Sequence, residues 1–194
     1  MKNKLKTKDL IYAGAFAAVY IVVMFVAVML LGFVPILYLL ASPFIVGLLN
    51  AVVYMMYVMK VKKFGAITIL GVLFGLVTTS GGHPYSIMFA VPLGLIADFI
   101  AKSGKYESKN LIAISYMVFN LTMIGPFMTL HIAKDAFIES CVEYYGESYG
   151  DAIGALATDW LIFAQGGLAI LGAFVGTLLA RKLLKTHFEK AGII

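Results

Sequence analysis

Few side chains in this sequence have the types and spacing for chemistry. Ser80 and His83 stand three residues apart in the run Thr78-Thr79-Ser80-Gly81-Gly82-His83-Pro84, a hydroxyl and an imidazole that suggest a nucleophile and its base. Ser80 lacks the Gly-x-Ser-x-Gly elbow that exposes a serine nucleophile, and a glycine-proline turn reads better as a connector. His83, His131 and Cys141 match no zinc-ligand spacing. There is no Gly-x-x-x-x-Gly-Lys-Ser/Thr loop to hold a nucleotide phosphate. The expectation is a protein that is not an enzyme, holds no metal and needs no cofactor. What remains is a sparse set of neutral polar groups, Asn50, Asn120, Thr122 and Gln165, in otherwise apolar sequence. Pockets for small organic ligands are built in this way. An amide there either meets a ligand or hydrogen-bonds a neighbouring helix, because leaving it unpaired is costly. Asn120 and Gln165, with His83, Tyr85 and Trp160, form the candidate substrate-binding set. The rings of Tyr85 and Trp160 also suit a membrane-interface belt.

The elements that carry these groups are membrane helices. Hydrophobic residues make up 62% of the 194 positions and charged residues 13%, the latter about half the ~25% of soluble domains. A soluble chain of this length leaves too much surface outside to hide that much apolar area. Disorder, a disulfide-stapled secreted domain and a nucleic-acid binder are excluded. No charge occurs from Leu10 to Met59, which is 50 residues. At 1.5 Å per residue about 20 residues cross a ~30 Å hydrocarbon core, so this run holds two spans, broken near Gly32 and Pro35. Phe64 to Ala97 gives two shorter spans, one ending near Thr79 and one beginning near Pro84. Asn110 to Ala133 and Trp160 to Ala180 supply a fifth and a sixth. The expected fold is a single all-α integral membrane domain over residues 1–194, with six transmembrane helices in one bundle. The third is the shortest, at about 16 residues.

Orientation follows from the basic residues. With the amino terminus in the cytoplasm, 14 of the 15 lysines and arginines fall on inner segments and only Lys134 lies outside. Both termini are then cytoplasmic. The net charge of +5 describes an inner surface facing anionic lipid headgroups, with no need for nucleic acid. The first apolar stretch exceeds the ~7–15 residues of a signal-peptide core and reads as a retained helix. Between helices five and six, Asp135, Glu139, Glu143, Glu147 and Asp151 recur every fourth residue. Phe137, Cys141, Tyr144 and Tyr145 form a stripe on another side. This predicts a short amphipathic helix from about Ile132 to Tyr145, lying on the outer face and broken by Gly146 and Gly150. It is either a solvated acidic face or a lid. Cys141 is the single cysteine, so its thiol has no intramolecular disulfide partner.

Small residues mark where helices approach closely. Ala13 and Ala17 sit one turn apart on the first helix, as do Gly14 and Ala18, beside a basic tail. Gly71 and Gly75, and Gly172 and Gly176, make similar patches for packing inside the bundle. The Ala-x-x-x-Ala motif, the Lys-rich start, the length and the six helices together resemble the substrate-binding S components of energy-coupling factor (ECF) transporters. The stretch Val91-Pro92-Leu93-Gly94-Leu95-Ile96-Ala97-Asp98 is similar to the Gly/Pro-rich segment ending in aspartate of many members. Within that family the chain most resembles the S components called MptD or Trep_Strep.

The resemblance implies a bacterial plasma-membrane protein that captures a vitamin or similar micronutrient from outside. It implies a pocket shaped by the first loop and the outer parts of helices four to six. It also implies docking, through Ala13 and Ala17 with Gly14 and Ala18, onto a transmembrane coupling component driven by two cytoplasmic ATPases. The chain lacks a His-rich amino terminus, which disfavours nickel and cobalt, and lacks an outer arginine to clamp a strongly anionic ligand. A self-contained small-molecule carrier, or a membrane sensor or assembly subunit without transport, is the alternative.

Overall fold

The computed structural model describes residues 5–188. Lys2, Lys4 and Lys190, three of the lysines assigned to the inner face, lie outside the described residues. Nine α-helices follow one another with no strand among the described residues: α1 (Thr7–Leu31), α2 (Ser42–Val61), α3 (Ala66–Ser80), α4 (Ser86–Ser103), α5 (Lys109–Asn120), α6 (Ile124–Ile132), α7 (Lys134–Tyr145), α8 (Glu147–Leu156) and α9 (Leu161–Leu183). Five segments are long and apolar enough to cross a membrane: Thr7–Leu31, Leu37–Val61, Ser86–Ser103, Lys109–Ile132 and Leu161–Thr186. The third span expected from sequence is α3, only 15 residues long. At 1.5 Å per residue that is about 22 Å, short of a ~30 Å core.

Prolines set the two irregular passages. Between α1 and α2 the chain takes a wide π turn over Leu37–Ala41, just before Pro43 at the start of α2. Between α5 and α6 it tightens into a 3₁₀ turn over Leu121–Met123. Pro126 lacks an N–H and its ring crowds the carbonyl of Thr122, four residues back, so a regular α-helix cannot run through.

Glycines let helices meet backbone to backbone. A Cβ on Gly172 would lie 2.1 Å from the Phe44 carbonyl oxygen, and one on Gly176 2.6 Å from that of Gly47. That closeness locks α2 to α9. A Cβ on Gly71 would sit 2.6 Å from the Ala90 carbonyl oxygen, which does the same for α3 and α4. These patches serve internal packing, by dispersion contacts that any side chain would break. Tyr20, Tyr54, Tyr116, Phe74 and Phe119 fill the centre, and the Tyr116 hydroxyl donates to the Gly47 carbonyl at 2.9 Å.

A buried carboxylate pins one end of the bundle. Asp98 of α4 has no exposed surface. Its Oδ2 accepts from the backbone N–H groups of Gly65 (2.8 Å) and Thr68 (3.1 Å) and from the Thr68 hydroxyl (3.0 Å). Its Oδ1 accepts from the Tyr106 hydroxyl at 2.9 Å. Asp98 therefore caps the amino end of the neighbouring helix α3, where unbonded N–H groups and the helix dipole favour an anion. Burial, and after it the Asp98 charge, push the Tyr106 phenol pKa up. At the same end Lys63 pairs with Asp9 and Lys62 with Glu107, and Arg181 donates to the Lys109 carbonyl. The contacts bring the lysine-rich ends of the helices together.

The opposite end carries the acidic segment as a helical hairpin. The amphipathic helix expected to end near Tyr145 does so, and Gly146 turns the chain with φ +91. Gly150, expected to break the helix as well, lies inside α8. A Cβ on it would be 2.3 Å from Val142 Cγ2, so this glycine is a contact point between α7 and α8. The expected apolar stripe divides: Phe137 and Cys141 pack, with Ile153 of α8, against Leu39, Phe127 and Leu130 of the main bundle, whereas Tyr144 and Tyr145 are exposed, Tyr145 stacking on Tyr149 of α8 instead. The Tyr149 hydroxyl donates to the Gly32 carbonyl at 2.7 Å, and burial pushes the Tyr149 phenol pKa up to about 12.

Candidate functional site

A cavity of about 70 Å³ opens beside this hairpin. Met24, Phe25 and Val28 of α1 form one wall, and Tyr38 of the π turn another. Met123, Pro126 and Phe127 close it from the kink between α5 and α6, and Thr78, Gly81 and His83 from the end of α3. None of these ten residues carries a formal charge at neutral pH, apart from whatever proton His83 holds.

The turn after α3 fixes His83. Gly82 adopts φ +94, a left-handed conformation open to glycine. Its N–H bonds the Thr79 carbonyl at 3.2 Å, and the His83 N–H reaches back to the Thr78 carbonyl at 3.2 Å. This paired pattern is the Schellman closure of a helix, with glycine at the left-handed position. It folds His83 back against the end of its own helix and so into the cavity wall. The His83 Nδ1 is shielded from solvent and has no hydrogen-bond partner. Desolvation holds the imidazole pKa below its usual value, partly opposed by a bond to the Pro126 carbonyl. The Thr78 hydroxyl is held against its own helix, donating to the Phe74 carbonyl at 2.8 Å.

The two candidate amides hold this wall from behind and do not line it. Pro43 has no N–H to serve the Leu39 carbonyl four residues earlier. Gln165 Nε2 of α9 donates to that carbonyl at 3.2 Å. Asn120 Nδ2 donates to the Pro43 carbonyl at 3.1 Å and to the Ala169 carbonyl at 2.8 Å. Both amides are fully buried. Gln165 Oε1 also meets His131 Nε2 at 3.2 Å. The amides thus clamp the irregular segment that presents Tyr38 to the cavity.

Of the other candidates, Trp160 caps α9 and is 58% exposed, and Tyr85 caps α4 half-buried. Neither lines the cavity. The small residues of α1 divide between two faces. Ala13 and Ala17 are buried in the bundle core, while Gly14 and Ala18 are exposed. A Cβ on Gly14 would meet nothing within 4 Å. The accessible small-residue strip of this helix is therefore Gly14 with Ala18.

Sequence reasoning missed the Met24, Tyr38, Met123 and Phe127 walls, since methionine and aromatic residues in apolar helices look like ordinary core. The Gly-Gly-His order after α3 was the signal that could have placed His83, through the preference for glycine just past a helix end. No group of three or more His, Cys, Asp or Glu residues among those described could hold a metal ion. Neither a curated protein nor a solved structure matches the chain. Residues 7–190 match the family described as hypothetical bacterial integral membrane protein (Trep_Strep), and the chain belongs to that family.

Proposed function

We propose that this protein is the substrate-binding S component of an ECF-type importer in the bacterial cell membrane. It takes up a vitamin or similar micronutrient from outside and docks onto a transmembrane coupling component with two cytoplasmic ATPases. The observation that carries the reading is the separation of two features along the bundle. A largely apolar cavity lies beside the acidic hairpin, and an open small-residue strip, Gly14 and Ala18, lies near the lysine-rich end.

With the lysine-rich end inside, α3 serves as a short sixth span, both termini are cytoplasmic and the α7–α8 hairpin lies on the outer face. The cavity then opens outward and the strip sits in the inner half, where a coupling helix can approach closely. The lack of a phosphate loop fits a component that borrows its energy from ATPase partners. The 70 Å³ cavity is smaller than the ~300–1,000 Å³ of drug-sized ligand sites. Capture of a larger molecule requires its walls to part, and Met24 and Met123 are the adaptable side chains to do so.

Mass spectrometry of small molecules released from the purified chain tests the capture half of the proposal. The expected result is one compound, near one per chain, absent from a preparation in which Met123→Trp fills the cavity. A ligand-free chain that by itself drives uptake in liposomes would point instead to a self-contained carrier.

A further inference from the structure

We propose that the α7–α8 hairpin is a hinged lid, latched by Tyr149 to the end of α1, whose lifting frees the Tyr38–Phe127 wall of the cavity; this rests on the capture reading only in taking that cavity as the ligand site. The hairpin is built as one rigid piece. A Cβ on Gly150 would lie 2.3 Å from Val142 Cγ2, and one on Gly154 3.3 Å from Ile138 Cδ1, so α7 and α8 interlock too closely to move separately. Both of its connections to the bundle are short breaks in helix. Ala133, at φ −132 and ψ 59, parts α6 from α7, and residues 157–160 part α8 from α9. The Lys134 Nζ donates to the Ala157 carbonyl at 3.0 Å and holds the two breaks side by side, as the two ends of one hinge.

Away from the hinge the hairpin rests on the bundle through side chains. α7 and α8 approach each other, and α7 its neighbour α6, more closely than either approaches α1, α2 or α9. Near the tip, one turn past Gly146, the Tyr149 hydroxyl holds the Gly32 carbonyl at 2.7 Å. Between hinge and latch, Phe137, Cys141 and Ile153 join Leu39, Phe127 and Leu130 in one apolar cluster, and Tyr38 packs against that cluster. The Tyr38 ring meets Phe127 edge-on at 5.2 Å, and both rings line the cavity. One set of side chains therefore seats the lid and closes the cavity. Peripheral units held in this way open at far lower cost than the whole fold. At about 70 Å³ the cavity takes a drug-sized ligand only if its walls part, and lifting the lid removes the backing of this wall.

The test reads rates of labelling by N-ethylmaleimide on the full-length chain in nanodiscs. Cys141 is the single cysteine and lies on the inner side of the lid, 8% exposed, so it reports lifting directly. Tyr149→Phe removes the latch hydroxyl alone and should speed Cys141 labelling about fivefold, the population change set by roughly one hydrogen bond. Lys134→Met, which releases the hinge clip, is a second variant and should shift the rate in the same direction. In a Cys141→Ser background, Met24→Cys or Met123→Cys reports the cavity wall, and Met55→Cys a buried core position outside it. The latch variant should speed labelling at the wall positions about as much and leave Met55→Cys unchanged. An unchanged rate at Cys141 in both variants would show that neither bond holds a lid. A faster Cys141 with unchanged wall positions would show that the hairpin moves without freeing the cavity. Equal gains at Met55→Cys would mean that the whole bundle loosens. Each of these results would overturn the proposal. The rates are read on the chain alone, so a chain that passes this test yet carries no ligand would end the capture reading and leave the lid standing.

Discussion

At the scale of single residues, the polar groups inside the bundle sort by what they touch. Asp98 caps a helix, Asn120 and Gln165 serve carbonyls around Pro43, and His83 stands in the cavity wall. Replacing Asp98 with alanine leaves the Gly65 and Thr68 N–H groups and the Tyr106 hydroxyl without an acceptor. The expected loss is about 2–4 kcal/mol of stability, read as a lower Tm in detergent. Asn120→Ala should cost about 1–3 kcal/mol and lower Tm, with any change in ligand affinity following only from the displaced wall. An affinity loss without a Tm loss would place Asn120 at the ligand instead. His83 adds a pH dependence. Its depressed pKa means the unfolded chain takes up the proton more readily, so stability is full above the ordinary histidine value of ~6.5 and falls as pH drops below it. The drop in Tm between pH 7 and pH 5 should be smaller in His83→Phe than in the native chain. An unchanged pH profile would mean that His83 does not contribute to it.

At the scale of elements, the long apolar runs, the short third helix and the amphipathic helix near Lys134–Tyr145 were legible because length, hydropathy and period are local properties of sequence. The second hairpin helix, α8, was not, because Gly150 reads as a breaker until Val142 is seen against it. The placement of Ala13 against Ala17 was also illegible. Two overlapping small pairs, Ala13/Ala17 and Gly14/Ala18, occupy adjacent faces of one helix, and only the surrounding helices decide which face is covered. Ala13→Trp with Ala17→Trp should therefore overpack the core and lower Tm, each substitution costing about 1–3 kcal/mol. Gly14→Leu with Ala18→Leu should leave Tm nearly unchanged. In the hairpin, Gly150→Val drives a side chain into Val142 and should part α7 from α8. Cys141 is 8% exposed and its thiol pKa is raised by burial, so it should react slowly with a maleimide in the native chain and faster in this variant. Equal rates would show that the hairpin does not shield it.

At the scale of the whole molecule, charge and shape point the same way. The described lysines other than Lys134 gather at one end, and acidic residues crowd a hairpin at the other. A cysteine replacing exposed Glu143 should label with an impermeant reagent in intact cells, and one replacing Lys105 should not. The reverse pattern would turn the cavity toward the cytoplasm. The candidate cavity itself was only partly legible, His83 by its turn and the other walls not at all, because a cavity is defined by what several distant segments leave unfilled. The proposal that this chain feeds an ATP-driven importer is tested most directly by purifying it with a tag from its native bacterial membrane in mild detergent. The predicted result is recovery with one further membrane protein and two ATPase subunits, lost in Gly14→Leu/Ala18→Leu while the variant folds normally. A well-folded native chain recovered without any ATPase would contradict it.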